Sequence, residues 1–167
     1  MLAAALLLGG ARDGATDTAP QPAAPAPSPS PSRWTPTLSL RAAQPTAFGL
    51  SLAVTIGADE PSPCPGHSAT GPSASVEGGT GGGMIGVGYG AVCAPTPPFG
   101  LGGLAVRAAY ARTWGHPWST APDQNYVGIY GDVSVLLTLR VGVLKHVGRS
   151  APGAKDWVFL LGGGIGF

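Results

Sequence analysis

Residues 157–167 read WVFLLGGGIGF, and the segment splits by parity. Trp157, Phe159, Leu161, Ile165 and Phe167 fall on one side, while Val158, Leu160, Gly162, Gly164 and Gly166 fall on the other. Side chains of a strand alternate between faces with a period of two, whereas a helix brings together positions three and four apart. The segment is therefore read as a β-strand with one large apolar face and one small face. Gly163 leaves one position of the large face empty.

The same alternation runs back through the chain. Between Tyr126 and Val147 the odd positions run Val127, Ile129, Gly131, Val133, Val135, Leu137, Leu139, Val141 and Val143, and the even ones include Gly128, Asp132, Ser134, Thr138, Arg140 and Gly142. In 100–113, Leu104, Val106, Ala108 and Tyr110 oppose Gly103, Ala105, Arg107, Ala109 and Ala111. In 47–58, Phe48, Leu50, Leu52, Val54 and Ile56 oppose Gly49, Ser51, Ala53, Thr55 and Gly57. A soluble sheet turns its large face to a core and covers the other with Thr, Lys, Glu or Arg. Here the second face is mostly Gly, Ala and Ser, which suits the inside of a narrow barrel. The large face then meets lipid, and several segments have the roughly 9–11 residues that a membrane strand needs.

Composition points the same way. Only 10% of the 167 residues are charged, against about 25% in an ordinary soluble domain. A net charge of +1 offers no basic field for nucleic acid and no acidic tail. The 28 Gly and 18 Pro separate along the chain: Pro crowds the first third, and Gly is interleaved with Val, Ile, Leu and Tyr. Residues 1–10, MLAAALLLGG, resemble the apolar region of a secretory signal but lack a positive start. Residues 1–18 are accordingly expected to be a signal remnant. Residues 19–36 contain the tract APQPAAPAPSPSPS, read as a disordered linker that buries too little apolar surface to order. Residues 37–167 form the barrel domain. No later stretch reaches the ~18 apolar residues of a membrane helix, so any span must be made of strands.

Expected strands are 37–43, 47–58, 72–80, 82–93, 100–113, 124–135, 138–147 and 156–167. An even number lets both ends of a bacterial barrel face the periplasm, and closure removes edges that hydrocarbon would not tolerate. The apolar phase changes from Ala74 and Val76 to Ile85, Val87 and Tyr89. A tight turn at 78–83 explains this, and a bulge within one long strand explains it equally well. Counted back from a periplasmic C-terminus, 114–123 and 148–155 are external, and the long 59–71 connection falls on the periplasmic side.

Arg41, Glu77, Arg107, Asp132 and Arg140 all point inward by parity. Isolated charges there are costly, so an ion-pair network filling the lumen is expected, with a polar path for ions as the alternative. Trp114, Trp118 and Tyr126 sit at strand ends and read as an interfacial aromatic girdle. Cys64 and Cys93, the only cysteines, form a possible disulfide in an oxidising compartment. The Cys64–His67 fragment has no second ligand pair at zinc spacing. The glycines of 78–90 lack the following helix of a phosphate loop. His67, His116 and His146 are scattered, and neither a catalytic triad nor a carboxylate pair can be argued from spacing. No cofactor is implied.

The last strand also resembles the C-terminal strand of bacterial outer-membrane β-barrel proteins, which end in an aromatic residue preceded by alternating apolar positions. Trp157, Phe159, Leu161, Ile165 and Phe167 fit that pattern, and Gly163 departs from it. The resemblance implies that the strand is read by the barrel-assembly machinery, and that the C-terminus is periplasmic. The expected fold is all-β: an antiparallel up-and-down transmembrane barrel of about eight strands, following a disordered N-terminal tail. The expected role is structural, surface-contact or minor-channel, in contact with outer-membrane lipids. The alternatives are a secreted soluble β protein that binds an apolar ligand or partner, and a lipid-modifying barrel enzyme.

Overall fold

In the computed structural model the described residues are 33–59, 68–93, 102–135 and 137–166, and they form eight strands with no helix. The strands are β1 (Arg33–Ala43), β2 (Ala47–Asp59), β3 (Ser68–Gly79), β4 (Gly82–Cys93), β5 (Gly102–Thr113), β6 (Asn125–Ser134), β7 (Leu137–Val147) and β8 (Trp157–Gly166). Each pairs antiparallel with its sequence neighbour, and β1 pairs with β8, so the sheet closes as an up-and-down barrel. Closure leaves the large faces outside. Phe159 is 73% exposed and Val141 63%, while Leu160 and Arg140 beside them are buried. The register keeps this sorting all the way round: Asp132 lies opposite both Ala105 and Arg140, and Val133 opposite both Leu104 and Leu139. A slip of one residue would turn every apolar side chain of a strand into the lumen.

The phase change at 78–83 is a hairpin. Glu77 pairs with Met84 and Gly78 with Gly83, leaving Thr80 and Gly81 at the tip. The Thr80 and Gly81 amides donate to the Phe48 and Thr46 carbonyls at 3.0 and 2.9 Å. A Cβ on Gly81 would sit 2.7 Å from the Pro45 carbonyl oxygen and the Pro117 Cα, so only glycine fits beneath the loop that crosses there.

Two boundaries differ from the sequence reading by four residues. The linker does not reach residue 36, because β1 begins at Arg33 and pairs without interruption from Arg33–Gly57 to Ala43–Ala47. Trp34 and Pro36 continue the outward phase of Leu38 and Leu40. Pro36 is tolerated because, among the described residues, β1 meets β8 only over Ser39–Ala43, so Pro36 lies along a margin with no described partner on that side. β3 likewise starts at Ser68 and runs through Pro72.

The two mouths differ. One, the loop end, carries the 44–46 and 80–81 turns and the 114–124 and 148–156 loops. The other, the termini end, carries Arg33, the last described residue Gly166, and the connection from β6 to β7. Cys93 closes β4 at the termini end and is disulfide-bonded. Cys64, His67 and Phe167 lie outside the described residues, as do 1–32.

Candidate functional site

The lumen is built in layers, each supplied by inward positions of several strands. Asp132, on β6, is the hub of the charged layer. Its Oδ1 accepts from Arg41 Nη1 at 2.7 Å and Arg140 Nε at 2.9 Å, and its Oδ2 accepts from Arg107 Nη1 at 2.8 Å. Arg140 Nη1 donates to Glu77 Oε2 at 2.6 Å, and Glu77 Oε1 accepts from Thr46 Oγ1 at 2.5 Å. The five inward charges therefore form one network that crosses the barrel from β1 to β6 and from β3 to β7.

Hydroxyl oxygens accept further guanidinium hydrogens. Arg41 Nε donates to Ser39 Oγ at 2.7 Å, and Arg107 donates twice to Ser73 Oγ at 3.0 and 2.6 Å. Thr55 Oγ1 donates to the same Ser73 oxygen at 3.2 Å. The Tyr130 ring lies under Arg140, 4.4 Å from guanidinium carbon to ring centroid, and its hydroxyl is 2.6 Å from Ser75 Oγ. Such multiply bonded ions meet the condition under which a buried ion pair is tolerated. Small residues make room for this. A Cβ on Gly142 would stand 2.5 Å from the Cβ of Tyr130 and from the Ile129 carbonyl oxygen.

Toward the loop end the charges give way to an apolar layer of Met84, Ala109, Ala111, Tyr126, Leu144, Val158 and Leu160. Above it lies a polar cap. Gln124 Oε1 accepts from the Ala151 amide at 3.3 Å and from His146 Nε2 at 2.9 Å, leaving His146 Nδ1 to accept from Ser150 Oγ at 3.3 Å. The 114–124 loop then folds over the mouth. The Trp114, His116 and Trp118 amides donate to the carbonyls of Gly81, Thr80 and Pro45 at 3.1, 3.4 and 3.2 Å. At the termini end a cleft of about 40 Å³ remains, lined by Thr37, Thr55, Ser134 and the Arg41, Arg107 and Asp132 side chains. That volume holds a few waters.

The aromatic expectation is corrected at one position. Trp114 and Trp118 are exposed, with Trp114 Nε1 donating to the Gly79 carbonyl at 3.1 Å and Trp118 edge-on to Phe48 at 5.0 Å. Tyr126 is 0% exposed, stacks edge-on against His146, and hydrogen-bonds Thr120. It plugs the lumen and is no part of a girdle, because even positions of β6 point inward. The sequence reading names His146 only as a scattered histidine, and it passes over Tyr130, Thr46 and Gln124. Parity alone places Tyr130 beside the charges, whereas Thr46 and Gln124 lie in turns that carry no periodic signal. Trp157, Phe159, Leu161 and Ile165 line the outer face of β8. Comparison of the chain with family models, with curated proteins and with solved structures gives no match to any of them.

Proposed function

We propose that this protein is a bacterial outer-membrane barrel with a closed lumen, acting as an embedded scaffold that presents its loop end at the surface. The observation that carries the reading is inside-out polarity. The ion network occupies the interior, while Leu, Val, Ile, Phe and Trp side chains stand exposed around the outside of all eight strands. A soluble protein rarely exposes more than a few hundred Å² of contiguous apolar surface. Strands of 10 to 13 residues at about 3.3 Å per residue, tilted near 40°, rise roughly 25–33 Å, matching the apolar band of membrane barrels. Outer-membrane lipids and the barrel-assembly machinery are the proposed partners.

The layered interior supports a scaffold over a channel. A permeating ion would have to part Asp132 from three guanidinium groups and then pass Tyr126 and the 114–124 loop. The test is planar-bilayer recording of the refolded protein, with its insertion checked by heat-modifiable gel mobility. The protein should be heat-modifiable and show no steady conductance. Stable ohmic steps would replace the scaffold with a channel, and a protein that never inserts would leave the soluble reading.

A further inference from the structure

The outward face carries two charges among the described residues, Arg112 on β5 and Lys145 on β7, and both lie at the loop end. Every other described outward strand position is uncharged. β6 runs between them. Arg112 pairs with Asn125, Asn125 with Val147, and Lys145 lies two residues before Val147 on β7. Two interstrand steps and a two-residue offset put the Cα atoms of Arg112 and Lys145 about 12 Å apart. Tyr110 OH donates to Asn125 Oδ1 at 2.8 Å, which leaves the Asn125 Nδ2 hydrogens for another acceptor. The Lys145 ammonium lies 5.6 Å from the Trp157 ring centroid, held against the outer wall.

Neither cation is neutralised within the described residues, since every salt bridge there belongs to the lumen network. Asp123 and Asp156 are the carboxylates at this rim, and they pair with neither cation. We infer that Arg112, Asn125 and Lys145 form a headgroup site for a lipid carrying two phosphates, one phosphate at each cation. The inference rests on the membrane reading above. A lipid is the occupant because the cations cap the apolar wall directly: Tyr110 and Ala108 continue below Arg112, and Val143 and Val141 below Lys145. Acyl chains lie along that wall while phosphates meet the rim. A soluble anion would gain nothing from it.

The protein is inserted into phosphatidylcholine vesicles doped with a bisphosphorylated glycolipid or its monophosphorylated form. It is then released in mild detergent, and retained lipid is read by native mass spectrometry. The wild type should retain the bisphosphorylated lipid about fivefold better than the monophosphorylated one, and R112Q and K145Q should each lose about fivefold. R149Q, in the neighbouring loop, should bind as the wild type does. Equal retention by the wild type and the R112Q/K145Q double variant, or an equal loss in R149Q, overturns the site and leaves the membrane reading standing. Failure to enter the vesicles overturns both.

Discussion

Asp132 accepts from three guanidinium groups through its two oxygens, and Glu77 from one. Removing a single partner from a buried ion network leaves uncompensated charge, at a cost of about 3–5 kcal/mol. D132A should lower the unfolding free energy of the refolded protein by that amount, measured by urea denaturation in lipid vesicles. E77A should cost less, because Arg140 keeps Asp132 as a partner. A loss below about 1 kcal/mol in D132A would mean that the network does not hold the barrel together. Parity along each strand is enough to turn these five residues inward, because one charge among Gly, Ala and Ser is conspicuous. It does not tell which carboxylate serves which arginine, since Arg41 and Asp132 are 91 positions apart. Tyr126 shows the converse. Its type and place at a strand end point to an interface, and its parity points into the lumen. Parity wins, because reversing one residue would break the pairing of β6 with both neighbours.

Among the elements, β8 is the one whose reading carries most. Its large face continues the outer wall and its glycines admit the neighbouring strand. A Cβ on Gly162 or Gly164 would strike Ala43 or the Leu40 carbonyl on β1. If its terminal aromatic also serves as the assembly signal, deleting Phe167 should reduce the amount of protein assembled in the outer membrane. The denaturation midpoint of protein refolded in vitro should stay nearly unchanged. Equal effects on both would make Phe167 ordinary lipid-facing bulk. The strands were legible almost to the residue wherever large and small positions alternate, as in β5, β6, β7 and β8. β1 and the start of β3 were not, because Pro36 and Pro72 mimic a linker. In β3 the pairing of Pro72 with Tyr89 continues the ladder past the proline.

For the whole molecule, closure turns eight marginal ribbons into one surface without long edges. The eight-strand count follows once the 80–81 hairpin separates β3 from β4. The cover over the loop end was not legible: it is made by the 114–124 loop crossing to the turns at 44–46 and 80–81, and no local pattern encodes such a crossing. The outer wall yields a prediction at this scale. V141R, a charge in the middle of the belt, should cost about 2–4 kcal/mol of stability in lipid, and a protein surrounded by water would hardly register it. Whether this wall faces hydrocarbon is decided by fractionation of expressing cells with a carbonate wash. The protein should be recovered with outer membranes and released only by detergent; recovery in a detergent-free soluble periplasmic fraction would mean that water, not lipid, surrounds the wall.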